Sequence, residues 1–223
     1  MDTHDISDTP QYFQHLQKQK QNLRDAQSRM GQRPPGGKPR EQTIFQFRLR
    51  TMQNARHLDT TVGYVASSFV PSPYPPCVRP FGELTKTAID DLVLETHHRG
   101  KYLMLRCVTP QDRMTAIMAI VEDEDGDVLL LQLYHQEQDA EPVEDILVEG
   151  RVLIVKEPYL KYTSDGGYGL RVDHLSDVEL LSSDDGRIPQ LWKQASRKKT
   201  AMAWKTIGND DFKKAKYRTA IEA

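Results

Sequence analysis

Cysteine is scarce: Cys77 and Cys107 are the only two in 223 residues. Two thiols without companions at ligand spacing exclude a disulfide framework and a cysteine-rich zinc cluster, and they suit a reducing compartment. No apolar run approaches the roughly 20 residues that a membrane-crossing helix needs, so no membrane partner is expected. The start, Met1-Asp2-Thr3-His4-Asp5, is acidic and lacks a signal-peptide core, which places the expected location in the cytoplasm or nucleus. The nucleophile elbow Gly-x-Ser-x-Gly is missing, and neither cysteine has the context of a catalytic thiol. Gly166-Gly167-Tyr168-Gly169 is glycine-rich but lies between strand-like runs, whereas a phosphate cradle opens a helix; a hairpin turn is expected there.

Metal chemistry fails on spacing as well. His97 and His98 are adjacent, so in an extended segment they point to opposite faces and cannot converge on one ion. The acidic run Glu122-Asp123-Glu124-Asp125-Gly126-Asp127 is no calcium loop: with Gly126 at the sixth position, the first falls on Val121 and the twelfth on Gln132. A hairpin with an acidic tip in water is expected instead. Asp173-His174 pairs a carboxylate with an imidazole but has no nucleophile to serve, and reads as a strand ending in a polar turn. No catalytic residue, metal or cofactor is therefore expected.

Charge is present and unevenly placed. Residues 1–60 carry 10 Lys or Arg against 6 Asp or Glu, residues 61–185 carry 10 against 23, and residues 186–223 carry 10 against 3. The three segments are thus +4, −13 and +7, a polarity that suits attraction within the chain or towards an acidic partner.

Along the chain, residues 1–30 form an N-terminal helical unit: Asp8 or Thr9 can cap, Pro10 suits the first turn, and Tyr12, Phe13, Leu16, Leu23, Ala26 and Met30 recur at helical spacing. Residues 31–74 are expected as linker and irregular segment. Within them 31–40 is rich in Gly and Pro, and 41–59 is ambiguous between strand and helix, with helix favoured. Pro71-Ser72-Pro73-Tyr74-Pro75-Pro76 forces an extended stretch, read as a stiff connection packed on the domain behind it rather than as a ligand for a proline-binding module. Phe81, Leu84, Ala88, Ile89 and Leu92 predict a helix over 81–93.

Residues 75–185 hold the main domain. Apolar or alternating runs at 102–108, 114–121, 128–133, 152–159, 168–172 and 178–181 read as strands separated by turn signals, with a longer insert over 135–150. Three strands, an insert, then two or three strands is the order of an OB-like barrel; a small SH3-like barrel fits the count almost as well. The expected fold class is α+β: a small antiparallel OB-like β-barrel with N-terminal helices and one C-terminal helix. Residues 186–200 are expected as a basic linker.

The final segment, 201–223, carries Trp204, Ile207 and Gly208 in the W-x2-L-G pattern, then Phe212, Tyr217 and Ala220. It resembles the opening of a tetratricopeptide (TPR) repeat, a helix-turn-helix of about 34 residues, and is expected to be cut short at Ala223. Lys205 and Asn209, four apart on one helical face, match two positions of the peptide-carboxylate clamp of chaperone-binding repeats. His97-His98-Arg99-Gly100-Lys101-Tyr102-Leu103, Arg113 to Asp123, Val155 to Tyr159 and Leu170 to His174 resemble the front module of fungal proteins that join tetratricopeptide repeats to a SET (SMYD-like) methyltransferase domain. The resemblance spans about residues 75–192. It implies that lysine methylation belongs to a part not seen here, while this part positions partners.

The expected function is thus a non-catalytic protein-protein interaction module. Chaperone C-terminal peptides and chromatin-associated proteins are its candidate partners, and its oligomeric state is open. Two alternatives stand beside it: a fragment of a longer SET methyltransferase, and an OB-like binder of single-stranded nucleic acid. Nucleic acid is not an expected partner, because the barrel segment carries the −13 charge and its basic residues are isolated.

Overall fold

A computed structural model of the chain describes residues 10–34, 36, 39–58, 72–113, 115–134, 146–163, 167–195, 209 and 213. Two helices come first, α1 (Pro10–Ser28) and α2 (Arg40–Leu58). The strands follow: β1 (Thr85–Lys86), β2 (Thr96–His97), β3 (Lys101–Cys107), β4 (Asp112–Arg113), β5 (Ile117–Glu122), β6 (Val128–Leu133), β7 (Val152–Lys156), β8 (Tyr159–Tyr162), β9 (Tyr168–Val172) and β10 (Val178–Leu180). A short helix, α3 (Gln190–Ala195), comes last among the described elements.

β3 is flanked by β5 and β7, both antiparallel, and β5 continues into β6. β6 then pairs in parallel with β9, which returns as a hairpin to β8. Only Glu157 and Pro158 separate β7 from β8, so the two are halves of one bent strand, and the sheet closes on itself. Five strands closed in this order, with one parallel contact between the third and the last, make an OB-like barrel. The remaining strands extend it: β10 lies along β7, β2 along β8 and β4 along β5.

The closing bend is set by Glu157, which adopts φ +46, a left-handed conformation rare outside glycine. Its carboxylate accepts from the Gly100 amide at 3.0 Å and from Arg99 Nη1 at 2.5 Å, and its own N–H donates to Lys101 O at 2.7 Å. Burial would raise this carboxyl, but the bonds from Arg99 and Gly100 outweigh it and hold the group below its ordinary range. Where β6 and β9 cross in parallel, Gly169 faces Leu130, and a Cβ there would lie 2.8 Å from the Leu130 carbonyl oxygen.

Alternation decides what fills the barrel. Leu103, Leu105 and Cys107 of β3, Ile117, Ala119 and Val121 of β5, and Leu131 and Leu133 of β6 point inward. They meet Leu153, Val155, Leu160, Leu170 and Val172, while Ile89, Leu92 and Leu94 plug the barrel. Burial in this core pushes the Cys107 thiol up to about 12.

Several expectations change. The helix predicted over 81–93 is replaced by single turns at Phe81–Glu83 and Ile89–Asp91 around β1. The first half of β3 has a free edge, since β5 reaches only Arg106 and Cys107. Thr85 N and Thr87 N satisfy it by donating to Gly100 O and Tyr102 O, both at 2.9 Å. The acidic tip between β5 and β6 is only partly in water: Asp123 is buried, accepts from the amides of Asp125 and Asp127, and reaches across to the amide of Ile89 at 2.9 Å. The stretch read as a basic linker contains α3, and Trp192 on it is buried against Met104, Ile154, Leu181 and Ile188. The ambiguous segment after the glycine-rich stretch is the helix α2.

Candidate functional site

Two outer faces of the barrel are apolar and a third is polar, and this chain covers all three with its own segments. On the first face, Met118 and Ile120 of β5, with Val108 and Ala116, form a buried cluster with Ile44 and Phe47 of α2; Val128, Leu130 and Tyr134 pack at its rim. Helix α2 contains no glycine or proline and is rich in Arg, Gln and Leu, good helix formers. Its docked stripe falls at positions 40, 44, 47 and 51. Arg40 Nε donates to Glu122 Oε2 at 2.8 Å, and Thr51 Oγ1 donates to Asp112 Oδ2 at 3.2 Å. Burying Ile44 and Phe47 stabilises this contact by roughly 1.5–3 kcal/mol each, before the ordering of the helix is subtracted. The opposite side of α2 leaves Phe45 (65%), Leu49 (42%) and Met52 (57%) exposed, so among its described side chains more large apolar groups stand in water than are docked.

On the second face, Met104, Val152 and Ile154 are covered by Leu181, Ile188 and Trp192. Arg106 joins the two covers. It ion-pairs with the buried Glu122, which also holds Arg40, and its guanidinium lies 5.4 Å from the Trp192 ring.

On the third face, the segment Ser72 to Cys77 lies along β9 and the turn after it. Tyr74 N donates to Asp173 Oδ2 at 3.1 Å, the Tyr74 hydroxyl donates to Arg171 O at 3.2 Å, and Cys77 N donates to Asp177 Oδ1 at 2.9 Å. Asp173 is itself held by Arg171, Nε to Oδ1 at 2.7 Å and Nη2 to Oδ2 at 2.8 Å, with both side chains buried. The His174 ring meets Tyr74 O at 2.5 Å. Tyr74 also stands edge-on to His97 and Tyr159, whose rings stack 5.6 Å apart. Burial pushes the Tyr74 hydroxyl up to about 12 and the His97 imidazole down to about 4, the latter helped by Arg99. The perturbed groups here all serve to fasten the proline-rich strap.

The residues weighed for chemistry fall into structural roles. His98 accepts the Val93 N–H at Nε2 (3.0 Å) and so carries its proton at Nδ1, which faces Pro158 O at 3.0 Å; burial lowers its pKa. His97 sits on the other side, in the aromatic stack. Asp173 and His174 both bind the strap. Trp204, Lys205, Ile207, Gly208, Phe212, Tyr217 and Ala220 lie outside the described residues, whereas Asn209 is helical and exposed. Among the described residues no cluster of His, Cys, Asp and Glu could hold a metal ion.

Two features escaped the sequence. The docked stripe of α2 is visible only at helical spacing, because Ile44, Phe45, Phe47 and Leu49 together resemble an alternating strand. Trp192 was signalled by Ile188 four residues earlier, with Pro189 at a helix start, but the surrounding lysines masked it.

No protein-family model matches the chain. A protein of the fungus Gibberella zeae named methyltransferase is 41% identical over 194 residues. Those residues are 86% of this chain and 24% of that protein, so the chain spans about a quarter of the length of the relative it matches. Among solved structures, Schizosaccharomyces pombe Pot1pC bound to single-stranded DNA matches with a TM-score of 0.35 and 14% identity, over 51% of this chain and 96% of that one. Because that neighbour holds single-stranded DNA, the expectation that nucleic acid is no partner is withdrawn; at this TM-score the likeness assigns no ligand to the present chain. The chain has a fungal relative named methyltransferase and a barrel of OB-like topology.

Proposed function

We propose that this chain is a non-catalytic protein-docking module of a methyltransferase-type polypeptide, a barrel wrapped by its own segments that positions partners for chemistry carried elsewhere. In its finer form, the longer polypeptide continues from Trp204 into tetratricopeptide repeats and carries a SET methyltransferase domain. The observation that supports this reading best is the outer face of β5 and β6. OB barrels offer that face to ligands, and here it is aliphatic, with Met118, Ile120, Val128 and Leu130, and is filled by a helix. An aliphatic surface that accepts a helix is suited to protein. The relative named methyltransferase, about three-quarters of whose length lies outside the matched region, supports a division between a positioning part and a reacting part.

A second reading, binding of single-stranded nucleic acid, is favoured by the OB-like topology and by the half-exposed Tyr134 ring at the rim of the same face. One set of measurements separates the two. The purified chain is titrated with S-adenosylmethionine, with a fluorescent single strand at low salt, and with the remaining part of the longer relative supplied as a separate polypeptide. The docking reading predicts association with that polypeptide and no heat from the cofactor. Salt-sensitive micromolar binding of the single strand without such association would favour the second reading, and methyl transfer by this chain alone would overturn both.

A further inference from the structure

We propose that the outer face of β5 and β6 is an exchangeable helix-docking groove, that α2 is its resident occupant, and that a basic amphipathic helix of a partner protein takes the place of α2. The inference rests on the protein-docking reading and names the chemistry of the partner. Arg40, Ile44, Phe47 and Thr51 fall at i, i+4, i+7 and i+11, the register in which one helix face meets a groove. Each has its counterpart. Glu122 receives Arg40, the aliphatic floor of Met118 and Ile120 receives Ile44 and Phe47, and Asp112 receives Thr51. Glu149 adds a third acid at the rim, bound by Arg48 at 3.0 Å. The groove therefore selects a helix with a basic residue, two large apolar residues and a donor at those spacings.

Three observations make the resident helix replaceable. The interior of the barrel contains no residue of α2, so the barrel keeps its core when the helix leaves. Glu122 retains Arg106, whose Nε donates to Oε1 at 2.9 Å, so departure of Arg40 does not strand a buried carboxylate. Finally, α2 is a poor amphipath, docking Ile44 and Phe47 while leaving Phe45, Leu49 and Met52 in water. A competitor whose apolar residues share one face can bury more, against the half-exposed Val128, Leu130 and Tyr134 at the rim. Gly31 and Gln32 are tied to Leu94 by backbone bonds of 2.9 Å, and the stretch after them up to Pro39, with glycines at 36 and 37, has the composition of a tether for α2.

The test uses the full chain and a fluorescein-labelled peptide of residues 38–58, read by fluorescence anisotropy. The doubly substituted chain Ile44→Asp/Phe47→Asp should free the groove and bind the peptide at micromolar concentration. The unsubstituted chain should bind it at least tenfold more weakly, and a peptide carrying the same two substitutions should lose binding by at least tenfold. Phe47→Ala, which adds no buried charge, gives a second chain should the double variant fail to unfold cooperatively, with binding expected between the two. Peptide that binds every chain equally, or that ignores a cooperatively folding variant, overturns the proposal. A single-stranded oligonucleotide bound by the freed groove in place of the peptide overturns it in favour of nucleic acid. A dimer of the unsubstituted chain that free peptide dissolves would hand the groove to a second copy and overturn the assignment to a partner. None of these failures touches association with the longer relative's remaining part, which tests the broader reading separately.

Discussion

Replacing Asp173 by alanine should destabilise the protein by about 3–5 kcal/mol, the range for breaking one side of a buried ion pair. Arg171 is 5% exposed and its partner carboxylate is fully buried, so the two are held in one another's field with little water between. Asp173 accepts two bonds from Arg171 and one from the Tyr74 amide. Its removal leaves the guanidinium buried without its carboxylate and loosens the strap that crosses β9. Against a total stability of roughly 5–15 kcal/mol the loss is large, so it will show as a clear fall in the urea midpoint at unchanged slope. The control is Arg171→Met/Asp173→Leu, which removes both charges and should cost much less than Asp173→Ala alone. If Asp173→Ala costs under 1 kcal/mol, or if the double replacement costs as much as the single one, the reasoning about a desolvated latch is wrong.

The remaining predictions address other covers and the closure of the barrel. Trp192→Ala should cost about 3–5 kcal/mol in chemical denaturation, as for a buried aromatic, whereas a residue of a free linker would cost almost nothing. Gly169→Ala should cost roughly 1–3 kcal/mol, because its Cβ would press on the Leu130 carbonyl, backbone that cannot turn aside. Burial lowers both His97, to about 4, and His98, so as pH falls below 6.5 the unfolded chain binds protons that the folded chain refuses, at His97 down to about pH 4. Their contribution is complete above pH 6.5 and is lost as pH falls. The fall in melting temperature from pH 7 to pH 5 should therefore be smaller in His97→Phe, which keeps a ring stacked on Tyr159; an unchanged slope would contradict this.

Strand order was legible because each barrel strand carries its own alternation. Leu103, Leu105 and Cys107 alternate with Met104 and Arg106, and the turn signals around them are strong. The hairpin at Gly126, φ +88, could be placed for the same reason. What the sequence hid are the contacts that join distant segments. Nothing local in Phe81 to Leu92 tells that β3 lacks a neighbour at its start, and helical spacing there is overruled by an edge 15 residues on. The covers were hidden by composition: lysines around Trp192 and the two-sided apolar pattern of α2 each resemble a segment with no core to join. The acidic charge of the middle segment misled in a similar way. Glu122, Asp123, Glu157, Asp173 and Asp177 are buried and hold amides or arginines, so these five of the 23 acids are structural rather than part of a field offered to solvent.

The central claim is that α2 is a separable occupant of a barrel that stands without it, and native-state amide hydrogen exchange tests this most directly. The account predicts that amides of residues 44–53 exchange through an opening of distinctly lower free energy than those of β3 and β5, which open only with global unfolding. Exchange of α2 and the barrel strands at one common free energy, unchanged by Phe47→Ala relative to each other, would contradict it.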